Sequence, residues 1–274
     1  MRCAFIRPFA LALAAVSVAG CSSRSGDPHS DKGPPAINGK DLRIKDVANP
    51  ALPAHASYIK QTQPVSGAIV VVVDDYDETH NGKGTGTIYV QDLGSGDPYS
   101  GISLFSPTFN PGNLRVSPGD VLDLRGQYQE NTQIGSTAVF APGAVLPQIS
   151  GPVATFRYET EVPAPVDIDV NDLTDFTKGR RWLGMLVRIK DVTLRADGTA
   201  DANGRVTIDL QDKFPGQGTK CNSPFPKPVS LVNDLFPVET MNLTAKTQVK
   251  AVVGVVSFFC SIKIAPRFPA DIQL

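Results

Sequence analysis

Histidine is scarce in this chain. His29, His55 and His80 are the only three among 274 residues, and none stands in a Ser–His–Asp, paired-glutamate or metal-ligand pattern. Catalysis needs a poised acid, base or nucleophile, so this inventory argues against an enzyme. Charge of one sign is also lacking. The formal net charge is −1, and it falls to −3 once Arg2 and Arg7 of the first twenty residues are set aside. Nothing global attracts a polyanion, which argues against nucleic acid as a partner. Beyond residue 20, no run approaches the roughly 18 apolar residues that a membrane-crossing helix needs. Convincing helical periodicity is missing throughout. Gly 24 and Pro 23 give many turns without reaching the composition of a disordered chain, and a 41% apolar fraction can supply a core. The length leaves room for about two domains.

Residues 1–20 read as a targeting segment. Arg2 and Arg7 open it, Phe9 to Ala19 is a short apolar run, and Val18-Ala-Gly-Cys21 closes it with small residues before a cysteine. The ending resembles the lipobox of bacterial lipoproteins. The resemblance implies cleavage before Cys21 and lipidation of that cysteine, with palmitate-type acyl chains as the membrane anchor. Ser22 follows rather than aspartate, which in that family favours the outer membrane, facing either the periplasm or the surface. Residues 21–39 lack periodicity and large apolar groups and read as a flexible tether.

Four cysteines then sort themselves. Cys3 leaves with the signal and Cys21 carries lipid. Cys221 and Cys260 remain as an even pair in an oxidising compartment, which predicts a disulfide. Two buried thiols are the alternative. No histidine lies near either cysteine in sequence, which disfavours a metal site.

The rest of the chain repeats itself. Val65-Ser-Gly67 to Asp74, Thr87 to Asp92 and Pro118 to Gly126 recur as Trp182-Leu-Gly184 to Asp191, Thr207 to Asp212 and Val249 to Gly254. The pairs Gly67/Gly184, Gln91/Gln211 and Gly126/Gly254 keep their order while loop lengths drift. Each copy reads as five strands at turn-punctuated spacing, with Thr137 to Phe140 closing the first and Ile262 to Arg267 the second. The expectation is an all-β chain of two tandem five-stranded Greek-key barrels at 40–147 and 167–274, joined by a Pro-rich linker at 148–166. The blocks Tyr89-Val-Gln-Asp92, Gly101-Ile-Ser-Leu-Phe105 and Gly254 to Arg267 resemble the OB-fold-like modules of bacterial secreted nucleases and lipoproteins. That resemblance implies binding or spacing rather than chemistry, since the catalytic domain that often accompanies such modules has no counterpart here.

OB barrels commonly bind on the face of their second and third strands. In the first copy this points to Tyr89, Phe105 and Phe109 as stacking residues, with core as the favoured reading of Phe105. Lys178, Arg180 and Arg181 make the one compact basic patch in the sequence. Asp74, Asp75 and Asp77 in one hairpin loop, and Asp197, Asp201 and Asn203 in the matching loop, form a possible Ca²⁺ site, though without the EF-hand spacing. No other cofactor is implied. The expected role is a non-catalytic, lipid-anchored envelope protein that acts as a binding or adaptor module. Its partner would be an envelope protein or a glycan. The alternatives are an accessory protein for oligosaccharide or single-stranded nucleic acid, and a Ca²⁺-binding module.

Overall fold

The computed structural model describes residues 42–82, 86–136 and 138–274. The targeting segment, Cys21 and the tether lie outside the described residues. The chain is sheet-rich. Its strands are β1 (Thr62–Val73), β2 (Ile88–Asp92), β3 (Gly101–Phe105), β4 (Thr108–Asn110), β5 (Asp120–Asn131), β6 (Gln133–Ile134), β7 (Ala138–Val139), β8 (Leu146–Glu159), β9 (Val166–Asp167), β10 (Leu186–Thr193), β11 (Thr207–Asp209), β12 (Ser230–Val232), β13 (Gln248–Phe259), β14 (Ser261–Ala265) and β15 (Ile272–Gln273). Three short helices accompany them: α1 (Ile44–Ala48), α2 (His55–Tyr58) and α3 (Phe176–Gly179). Among the described residues, no helix is long and apolar enough to cross a membrane.

The first sheet pairs β3, β2, β1, β5, β8 and β4 in that order, and β3 also pairs with β8 in parallel. The second runs β11, β12, β14, β13, β10 and β9, with β15 on β13. The two share a pairing plan. β1–β5 and β10–β13 are antiparallel, as are β5–β8 and β13–β14, while β3–β8 and β12–β14 are parallel. In the second sheet the counterpart of the β1–β2 ladder is reduced to contacts such as the Arg195 amide donating to Asp209 O at 2.9 Å.

The repeated glycines hold matching places. A Cβ at Gly126 would sit 2.5 Å from Ile149 Cγ2, and one at Gly254 would sit 2.6 Å from Ile264 Cγ2. In each sheet the glycine lets two strands cross closely where a side chain would separate them. Gly67 has φ +70° at a register shift in β1, a bulge that coils the strand. The β-branched run that follows is buried on both faces. Val65, Ala68 and Val70 pack into the first core, while Val71 and Val72 pack against Leu186, Val253 and Val255 of the second sheet. That contact is the reason the run shows no polar alternation.

Three expectations are corrected. Residues 146–159, most of which the sequence reading gave to the 148–166 linker, form β8, the longest strand. Its prolines fall at its start (Pro147) and at an irregular register around Gly151-Pro152, where no ladder amide is needed. The closing strand of the first sheet is therefore β8. Of the expected 137–140 strand, Ala138–Val139 pairs with β6 and the Phe140 amide donates to Thr132 O at 2.9 Å. Phe140, Ala141 and Ala144 instead pack in the second core, where the rings of Phe140 and Phe258 are 4.8 Å apart. The second long strand begins at Leu186 rather than Trp182, because Asp175 caps α3 and a 3-10 turn (Arg180–Trp182) precedes it. Cys221 and Cys260 form a disulfide, as expected. The Lys227 amine is buried beneath it and donates to Cys221 O and Cys260 O at 2.8 and 2.7 Å.

Candidate functional site

The two sheets enclose an open cavity of about 680 Å³. β2, β3, β5 and β8 form one wall, and β13 and β14 the other. The size falls within the range of small-molecule and oligosaccharide clefts.

Tyr89 on β2 and Phe105 on β3 both line the cavity. Strand alternation carries Phe105 outward at the end of β3, and it is 58% exposed, so it is not core. Tyr89 is half-buried. Its hydroxyl pKa is raised, first by burial and then by the charges of Asp234 and Asp74, so it stays a neutral donor. Amides alternate around these rings. Gln129 on β5 accepts from Gln148 Nε2 on β8 at 3.2 Å, and Asn131 and Gln133 continue the row. Gln133 donates to Gly135 O at 3.0 Å.

The opposite wall carries Ser257, Phe259 and Lys263. Ser257 and Lys263 are directly paired across β13 and β14. The Lys263 ammonium lies 5.4 Å from the Phe259 ring centre. Three acids (Asp74, Glu78, Asp234) and two bases (Arg205, Lys263) complete the lining, with Arg205 held 3.6 Å from Glu78.

The walls are held in fixed relation by bonds between the sheets. The buried Gln91 side chain accepts from the Leu186 amide at 3.2 Å, and the Tyr99 amide donates to Arg181 O at 2.6 Å. The Tyr76 hydroxyl donates to Glu239 at 3.0 Å. On the other flank Glu130 Oε1 receives the Tyr128 hydroxyl at 2.7 Å and the Arg180 guanidinium, with His55 Nε2 at 2.9 Å. His55 donates from Nδ1 to Val47 O, which fixes the ring.

The remaining predicted residues lie elsewhere. Phe109 on β4 packs against the first core and does not line the cavity. The basic patch is divided: Arg180 turns inward to Glu130, while Lys178 and Arg181 are exposed outside the cavity lining. Asp75 is exposed, and Asp74 is buried in the cavity wall. Asp77 accepts from the Asn81 and Gly82 amides, and Asp201 accepts from the Asn203 and Arg205 amides. Those bonds hold both carboxyls below the usual range and close their own turns. Asp197 accepts from the Ala245 amide. Among the described residues, no three His, Cys, Asp or Glu side chains gather as a metal site.

Sequence reasoning missed Gln129, Gln148, Ser257, Phe259 and Lys263. The strands carrying Ser257, Phe259 and Lys263 were legible as an apolar run and a closing strand, but which face met the first sheet was not. No family model, no curated protein and no solved structure matches the chain.

Proposed function

We propose that the protein is a non-catalytic binding module of the bacterial envelope, held by lipid on Cys21, whose two sheets are OB-like Greek-key barrels gripping a glycan chain between them. One observation carries the reading. Aromatic rings from both sheets and side-chain amides from the β5–β8 side converge on an open cavity, with Phe105 exposed at its wall. Sugar rings offer an apolar face for stacking and hydroxyls that both donate and accept, which is what Tyr89, Phe105 and the Gln129–Gln148 row can meet. The pairing plan of the first sheet, running β1–β2–β3–β8–β5 and back to β1, supports the barrel reading, and the second repeats it apart from the β10–β11 ladder that would close it.

A single-stranded nucleic acid fits this lining less well, because its three acids, Asp74, Glu78 and Asp234, outnumber its two bases. An adaptor role draws support from Val139 on the small β6–β7 hairpin and Val153 on β8, which are 46% and 47% exposed. Calorimetric titration of the whole chain in detergent with di-N-acetylchitobiose tests the glycan reading. Saturable heat with one site is expected. No heat with this sugar, together with recovery of one envelope protein in a pull-down, would favour the adaptor.

A further inference from the structure

The β13–β14 wall holds two polar groups without a hydrogen-bonding or ionic partner among the described residues, one of them enclosed. Ser257 is 8% exposed, it lines the cavity, and its hydroxyl has no hydrogen-bond partner. A buried hydroxyl without a partner is uncommon, since leaving it unpaired costs about 1–3 kcal/mol. Its cross-strand neighbour Lys263 brings an ammonium that rests over Phe259 and pairs with no carboxylate among the described residues. Ser230 pairs with Lys263 in parallel register and is itself bonded to Asp209 at 2.8 Å, and Asp234 lies past the end of β12 at Val232. Glu78 is committed to Arg205. The lining thus carries Asp234 and Asp74 close enough to Tyr89 to raise its hydroxyl pKa, and Ser257 with Lys263 as a cross-strand pair on the β13–β14 wall.

We infer that Ser257 and Lys263 form a subsite for a single carboxylate on the bound sugar, so that the cleft selects a singly acidic glycan over a neutral one. This rests on the glycan reading above. The ammonium takes one carboxylate oxygen, and a turn about χ1 brings the enclosed Ser257 hydroxyl to the other. Phe259 beside them carries the apolar edge of the same sugar ring. A charge-assisted pair of this kind is stronger than a neutral contact and adds about tenfold in affinity. A polyanion gains less, because its further charges share the lining with Asp234 and Asp74.

The test compares two disaccharides on the whole chain, di-N-acetylchitobiose and N-acetylglucosaminyl-N-acetylmuramic acid, which differ by one carboxylate-bearing ether. The acidic sugar should bind about tenfold tighter at low salt. Lys263→Gln and Ser257→Ala should each remove most of that preference, and Ser257→Ala should keep or raise the melting temperature, because it deletes a buried hydroxyl that has no partner in the protein. Lys263→Arg should restore it. Equal affinity for the two sugars, or a preference that survives Lys263→Gln, overturns the subsite and leaves the neutral-glycan reading standing. Binding of neither sugar overturns both.

Discussion

Gly101 and Gly184 meet backbone to backbone where the two sheets touch. A Cβ at Gly101 would lie 2.4 Å from Gly184 C, and one at Gly184 would lie 2.3 Å from the Ile102 nitrogen. Neither neighbour is a side-chain tip that can swing away. Gly184 also has φ +77°, which an L side chain rarely adopts. Gly101→Ala should therefore push the sheets apart and widen the cleft between them. The expected outcome is a loss of about 2–4 kcal/mol in denaturant unfolding, with sugar binding lost as well. A fully stable Gly101→Ala protein with unchanged binding would mean that the close approach does not set the cleft.

The Glu130 cluster should be the most sensitive polar contact between the sheets. Glu130 and Arg180 side chains are 12% and 11% exposed, and Tyr128 and His55 share the same carboxylate. Arg180→Ala leaves a nearly buried carboxylate without its cation, which typically costs about 3–5 kcal/mol. Adding Glu130→Gln to that variant should recover part of the loss. Urea unfolding of the single and double variants measures the coupling.

Stability should fall as pH rises from about 4 to 7. Burial pushes the Asp92 carboxyl up to about 7, against the pull of the Lys45 and Ile44 amides that donate to it at 3.0 and 2.7 Å. An unfolded aspartate titrates near about 3.9, so in this window the folded chain holds a proton that the unfolded chain has released. Each step up in pH then favours unfolding. Burial shifts Asp123 the same way. The carboxyls held low, Asp77, Asp97, Asp167 and Asp201, act only below about pH 4, where their stabilisation is lost. Asp92→Asn should flatten the profile between pH 4 and 7, read by thermal melting across buffers.

Removing the disulfide should destabilise the second sheet selectively. Cys221 and Cys260 are separated by 39 positions and tie the irregular 213–228 segment to the turn between β13 and β14. The double Cys221→Ser, Cys260→Ser variant should lose about 2–4 kcal/mol. Hydrogen exchange should quicken first in β12 and β14, with β1 and β5 little affected.

Sequence carried the repeat, because Gly126 and Gly254 must be small wherever two strands cross closely, and this leaves the same mark twice. It carried the disulfide through cysteine parity, and Tyr89 and Phe105 through their strand positions. It could not carry β8, since prolines that mark a linker by composition are tolerated at a strand start and a bulge. Nor could it carry the cleft. The exposure of Phe105 and the opening beside Ser257 depend on how one sheet sits on the other. That is decided by Gly101, Gly184 and the apolar contact of Val71 and Val72 with Val253 and Val255, residues far apart along the chain.

The claim that the space between the sheets binds sugar is tested most directly by titrating di-N-acetylchitobiose into the wild type and Phe105→Ala, while following the side-chain amide resonances of Gln129 and Gln148 by NMR. Both resonances should shift to saturation in the wild type, and Phe105→Ala should weaken binding about tenfold without changing the melting temperature. Resonances that stay still, or an affinity indifferent to Phe105, would contradict it.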